Sequence, residues 1–193
     1  VKTLFFLLLV LTTPLTAREL EWHDGSVVLA SRKVLTGKIT IESAFDLVLL
    51  RTGDSCLVLP AHKVLSLYFY DADENINRKF VSLKENEDTR APQHFYEVVL
   101  YGKVNVVRRL PLTRSRRMGA DAHDYVYFVQ WENALTKLDR FKKDIYPALL
   151  SSSGKMLGEF VSANRLDPAD AAQAIRIIEY YDHTIVAGAL ARH

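Results

Sequence analysis

The sequence predicts an α+β fold, and three observations predict it. Residues 27–70 hold short apolar runs broken by turn chemistry every eight to twelve residues. Two more apolar runs flank each of two compact turns between residues 95 and 138, and from residue 141 the apolar period lengthens from two to that of a helix. Strands therefore come first and helices last, as in folds whose helices gather at one end of an antiparallel sheet.

Five strands are expected in the first block, at residues 27–29, 34–41, 47–51, 55–59 and 64–70. In the second, Leu35, Ile39 and Ile41 alternate with Thr36, Lys38 and Thr40, which gives one apolar and one wet face. Thr52-Gly53-Asp54 predicts a tight hairpin, and Pro60-Ala61-His62-Lys63 a single turn joining the last two strands. Short strands with these links predict an SH3-like small β-barrel over residues 18–90.

Polar stretches at residues 71–77 and 84–93 bracket a short apolar segment, 80–83, and set a soft boundary near Arg90. Residues 91–193 are expected to hold β-hairpins and a C-terminal helical cap, as a second unit or packed as one with the first. One hairpin joins residues 95–101 to 104–109 through Gly102-Lys103, where glycine in first place predicts a type II′ turn. The other joins 125–131 to 134–138 through Glu132-Asn133. Residues 141–150 read as a helix limited by Pro147, and 155–164 as a second. The third has Asp167 as the expected N-cap, Pro168 in its first turn, and an apolar stripe of Ala171, Ile175, Ile178, Tyr181 and Ile185.

Ahead of all this, Lys2, an apolar run at residues 4–11, Pro14 and Ala17 form the pattern of a secretory signal peptide over residues 1–17, cleaved after Ala17. The run is too short for a spanning helix, which needs about 20 apolar residues, and no later run would cross a bilayer. Export to a periplasm or cell envelope follows. The initial Val reads either as a GTG start codon, and so as a bacterial source, or as the mark of a sequence trimmed by one or more residues. The chain has 193 residues, 49% of them hydrophobic, and a single cysteine, so its fold must rest on a core rather than on internal disulfides. A formal charge of +2 argues against a polyanion binder.

Few residues suggest chemistry. Asp121, His123 and Asp124 could offer two or three ligands to a divalent ion, completed by His94, His62, or His23 with Asp24. The rival reading is a solvated turn. Glycine-rich phosphate loops and nucleophile elbows are missing, so no cofactor is expected. Cys56 alternates with Val58 on an apolar strand and reads as a small core hydrophobe. Glu97, inside another apolar strand, is either a tuned acid or the cross-strand partner of Arg108. Arg108, Arg109, Arg114, Arg116 and Arg117 cluster within ten residues; the leading reading is a flexible solvated loop, and the rival is a site that docks an anionic envelope surface or an acidic partner. Nucleic acid is disfavoured by export and by the lack of a stacking platform beside the cluster.

The text Val34-Leu35-Thr36-Gly37-Lys38-Ile39, residues 95–104, the hairpin at 125–138 and the tail 175–182 together resemble an uncharacterised class of exported proteins from Bacteroidota. They are similar to the soluble N-terminal regions that precede the barrel of some outer-membrane proteins of that lineage. The tail commonly ends in Tyr-Asn, where this chain has Tyr181-Asp182. The resemblance implies a compartment and a fold plan and transfers no catalytic residue. The expected function is a non-enzymatic exported interaction protein with an envelope protein or anionic envelope surface as its partner. The alternatives are a metal-dependent hydrolase using the 121–124 loop, and a carrier of a small apolar ligand lined by strand aromatics such as Tyr68, Phe69, Phe95, Tyr96, Tyr127 and Phe128.

Overall fold

A computed structural model describes residues 20–85, 90–109 and 125–186. Its centre is one antiparallel sheet of ten strands: β1 (His23–Leu29), β2 (Val34–Glu42), β3 (Leu47–Thr52), β4 (Ser55–Pro60), β5 (Val64–Asp71), β6 (Ile76–Lys84), β7 (Gln93–Leu100), β8 (Asn105–Arg109), β9 (Val126–Trp131) and β10 (Ala134–Lys137). Spatial order is β10-β9-β8-β7-β6-β5-β1-β2-β3-β4, so the chain meanders twice and crosses over once, between β4 and β5.

That crossover dictates the shape. Laid flat, four inter-strand steps would hold β4 and β5 about 19 Å apart. The link between them is the 3-10 turn Ala61–Lys63, and the four Cα–Cα steps from Pro60 to Val64 reach at most about 14 Å even when extended. The sheet must curl to bring the two strands together. Val27, Ile39, Val48, Leu50, Leu59, Val64, Leu67, Phe69 and Phe95 are buried inside the curl. The curl is held by Asp46, in the β2–β3 turn, whose backbone C=O accepts from Ala61 N–H at 3.0 Å and whose carboxylate accepts from Phe95 N–H at 3.0 Å. Ser82 Oγ adds a bond to the Ala61 carbonyl at 2.7 Å.

The expected SH3-like barrel is therefore corrected: the strands and the turn are those expected, but the sheet is open, with β4 at one edge and β10 at the other. The same sheet runs on past residue 90, because β6 pairs with β7 from Phe80↔Glu97 to Lys84↔Gln93. β6 itself begins at Ile76, earlier than the apolar segment 80–83 suggested, since Asn77, Arg78 and Lys79 disguise its first half.

Four helices follow: α1 (Phe141–Asp144), α2 (Tyr146–Ser153), α3 (Lys155–Ala163) and α4 (Ala171–Tyr180), the last continuing as a π-helical turn, Tyr181–Val186. Pro147 sits in the first turn of α2 and separates it from α1. They cover the β8–β9 end of the inner face, where Val106 and Val129 pack with Phe141, Leu149, Leu157, Ala174, Ile177, Ile178 and Tyr181. The α4 stripe is rotated from the expected one: Ala174, Ile177, Ile178 and Tyr181 are buried, Ile175 is half-buried and Ala171 exposed. The Ile185 side chain is outside the described set. The N-cap moves too. Asp170 accepts from Gln173 N–H at 2.9 Å, while Asp167 closes the preceding turn on Ala169 N–H.

The hairpin turns split in type. Glu132 and Asn133 both have positive φ, 49° and 66°, which is the type I′ pattern. Gly102 does not take a left-handed φ, so the expected type II′ turn is absent; a bulge between Val98 and Leu100 and a four-residue connection replace it. Glycine is required there for another reason. A Cβ at residue 102 would collide with the Asp182 carboxylate, which reaches across from the end of α4 and accepts from Val104 N–H at 3.2 Å.

Candidate functional site

On the inner face, between the curled strands and the helices, lies a chain of charges. Asp71 Oδ2 accepts from Arg78 Nε at 2.7 Å, Arg78 Nη1 donates to Glu97 Oε1 at 2.7 Å, and Arg108 Nε donates to Glu97 Oε2 at 2.7 Å. Strand register builds it: Glu97 lies directly opposite Arg108, and Phe80 opposite Glu97 puts Arg78 one step along on the same face. The Arg108 guanidinium stacks 4.2 Å from the Tyr125 ring centroid. Glu97 and Asp71 are each 7% exposed. Glu97 is thus the cross-strand partner of Arg108 rather than an acid aimed at a substrate, because each of its oxygens already accepts a charge-assisted bond.

Titration follows the pairing. Burial pushes the Asp71 carboxyl up, but the Arg78 hydrogen bond, the Glu74 N–H and the Arg78 charge outweigh it and hold it below the usual 3.8. Burial alone would lower Arg78 and Arg108, yet their carboxylate partners raise both above the ordinary guanidinium value. Asp71, Arg78 and Arg108 therefore stay charged at neutral pH.

A second set gathers at the start of β7. Asp46 Oδ2 lies 2.7 Å from His94 Nδ1 and 3.4 Å from Arg109 Nη2, and Arg109 also reaches Glu85 at 3.7 Å. Arg109 lies over the Tyr96 ring at 5.4 Å. Burial raises the Tyr96 phenol, Arg109 pulls it back in part, and the net result is about 12, so it stays neutral. Of the five clustered arginines, Arg108 and Arg109 are therefore engaged in internal ion pairs. Arg114, Arg116 and Arg117 lie outside the described residues, as do Asp121, His123 and Asp124.

Among the described residues, Glu21, His23 and Asp71 are the group whose ligand atoms come within 4.8 Å of one another, close enough to share a metal ion. The Glu21-x-His23 spacing was legible in the sequence, with His23 opening β1 and Glu21 just ahead of it; Asp71 joins only because β1 pairs with β5. The chemistry is unfavourable to a divalent cation. Asp71 already accepts from Arg78 and from Glu74 N–H, and a second cation beside that guanidinium meets repulsion. His23 stacks on Phe69 at 4.5 Å, His94 is engaged by Asp46, and Asp24 faces Lys38 at 3.3 Å.

The strand aromatics divide between faces. Phe69 and Phe95 are in the curled core, and Tyr127 packs under the helices. Tyr96 and Phe128 form a smaller cluster on the opposite, outer face with Val107, in edge-to-face contact at 5.3 Å. Tyr68 and Tyr70, also on the outer face, are exposed; Tyr68 lies directly opposite Lys79, whose ammonium sits 4.0 Å from the ring centroid of Tyr101, itself 72% exposed. Ser26 is the other cross-strand neighbour of Tyr68. This tyrosine–lysine strip escaped the sequence reading because tyrosines on alternating strands read as core. Cys56, expected in the core, is exposed because it is on the outer side of edge strand β4.

Compared with protein-family models, curated proteins and solved structures, the chain matches none. Among the described residues, no helix is long and apolar enough to cross a membrane.

Proposed function

We propose that the protein is an exported, non-enzymatic interaction module of the periplasm or cell envelope that uses its outer sheet face to contact an envelope protein. The observation that carries this reading is the set of exposed tyrosines Tyr68, Tyr70 and Tyr101 around half-buried Lys79. Tyrosine offers a large, stiff surface with a polar tip, which suits a face that must be wet when free and dry when bound. The signal-peptide pattern of residues 1–17 and the resemblance to exported Bacteroidota proteins support the compartment. Internal pairing of Arg108 and Arg109 moves weight from an anionic surface to a protein partner.

A photo-crosslinking amino acid in place of Tyr101, in cells of the source type, tests it. The expected result is a discrete adduct with a different protein in the envelope fraction, on a chain whose N-terminus is Arg18, and its loss when Tyr68 and Tyr70 are changed to Ser. A cytoplasmic, uncleaved chain or an adduct indifferent to Tyr68→Ser/Tyr70→Ser would overturn the reading.

A further inference from the structure

The two edges of the sheet are built differently, and the difference points to a second site. Natural edge strands guard their unpaired N–H and C=O groups with brevity, charge, proline or bulges. β10 is guarded: it has four residues, ends in Lys137 and leads at once into the 3-10 turn Leu138–Arg140. β4 is not. It runs six residues as Ser55-Cys56-Leu57-Val58-Leu59-Pro60 without a charge, with proline only at its last position and an unbroken register against β3.

The two-residue turn after Thr52 makes Thr52 and Ser55 a hydrogen-bonded pair. By alternation Leu57 and Leu59 direct their backbone groups to β3, and Cys56 and Val58 direct theirs away from the sheet. Among the described residues, β4 pairs with β3 alone. Its side chains are left open as well: Leu57 is 42% and Val58 57% exposed.

We propose that β4 is a self-pairing edge, on which two copies of this chain join antiparallel into one continuous sheet about a twofold axis through Leu57. This contact is separate from the tyrosine strip and stands or falls independently of it. Register and charge both select a second copy. With Leu57 opposite its own counterpart, Cys56 of each copy faces Val58 of the other, so the outward-directed backbone groups meet each other and both exposed side chains stay on the same face. The strand's ends carry opposite charge, Asp54 at the turn and exposed Lys63 just past Pro60. Antiparallel pairing sets each acid by the other copy's basic end, whereas a parallel arrangement would set like beside like. Phe45, exposed two residues before Leu47, the partner of Pro60, adds apolar surface at that end. The Cα atoms of the two Cys56 residues fall on a diagonal, about 7–8 Å apart, beyond the spacing a disulfide bridges without backbone movement; position 57 is the one that faces itself at close range.

Sedimentation velocity of the purified protein from about 1 to about 100 μM, spanning weak to moderate association, should show a reversible dimer. Val58→Lys, which restores a gatekeeping charge on a solvent-exposed side chain, should weaken it at least about tenfold with unchanged thermal melting. In a Cys56→Ser background, Leu57→Cys should give a disulfide-linked dimer under mild oxidation, and Thr136→Cys on β10 should not. A monomer throughout the range, a dimer that Val58→Lys leaves intact, or cross-linking at residue 136 instead of residue 57 would overturn the proposal.

Discussion

One sheet covers its inner face in two ways. The strands β1 to β5 curl until the face packs on itself, sealed by the Asp46 bridge to Ala61 and Phe95. The strands β8 and β9 stay open and are roofed by α1 to α4. Between the two, the sequence places Asp71, Arg78, Glu97 and Arg108 instead of apolar residues. The comparison teaches that the charge seam marks where two solutions to one burial problem meet. Its groups are buried enough that each charge needs the partner it has.

The largest test breaks the roofed half. Ile178 is fully buried under the helices, so Ile178→Asp should cost about 4 kcal/mol or more, the penalty class of an unpaired buried charge. Because Phe95 of the curled core and Glu97 of the seam share strand β7, the two halves should melt together in calorimetry. Two separated transitions in this variant would show that the halves are independent.

Glu97→Ala comes next. It leaves Arg78 without one of its two carboxylates and Arg108 without its own, and should cost about 3 kcal/mol, the low end for breaking a buried pair. Denaturant titration reads it, and a loss below about 1 kcal/mol would class the seam with ordinary surface pairs.

The smallest test uses two carboxyls whose shifts have opposite sign. Asp71, in the seam, is held below 3.8, so its stabilisation is complete above the unfolded value and is lost as pH falls through the folded one. Asp182, latched under the roofed half, is raised by burial, with the N–H groups of Val104 and Lys103 offsetting only part. Its stabilisation is complete below the unfolded value and is lost as pH rises through the folded one. Melting temperature followed from about pH 3 to about pH 7 should therefore lose its acid-side drop in Asp71→Asn and its decline toward neutrality in Asp182→Asn. Identical profiles for both variants would erase the contrast.

Much of this fold was legible locally. Alternation found β1 to β5 and β7 to β10 to within a few residues, because each has at least one apolar face and turn residues at both ends. Long-range facts were hidden. Arg78 gave β6 the look of a loop, since its burial depends on two carboxylates from other strands. Barrel and open sheet share the same strands and the same 3-10 turn, and differ only in whether β4 finds a partner. The pairing of Glu97 with Arg108 was readable, as a one-hairpin relation; the third member, from β6, was not. The α4 cap was placed three residues early, at Asp167 where Asp170 provides it, and the stripe was centred on Ile175 where Ala174 and Ile177 are the buried residues.

The contact between Asp182 and the Val104 amide joins residues 78 apart in sequence. Loop-closure entropy grows only slowly with such a span, but a contact of this separation cannot form before the chain between its ends exists. On a chain delivered from its N-terminus, the curled strands can assemble while the helices are still being made. The Val104 amide must then wait for the carboxylate that the last helix brings. Closing that loop depends on the last segment of the chain to be delivered, and the bare glycine leaves room for the carboxylate when it comes.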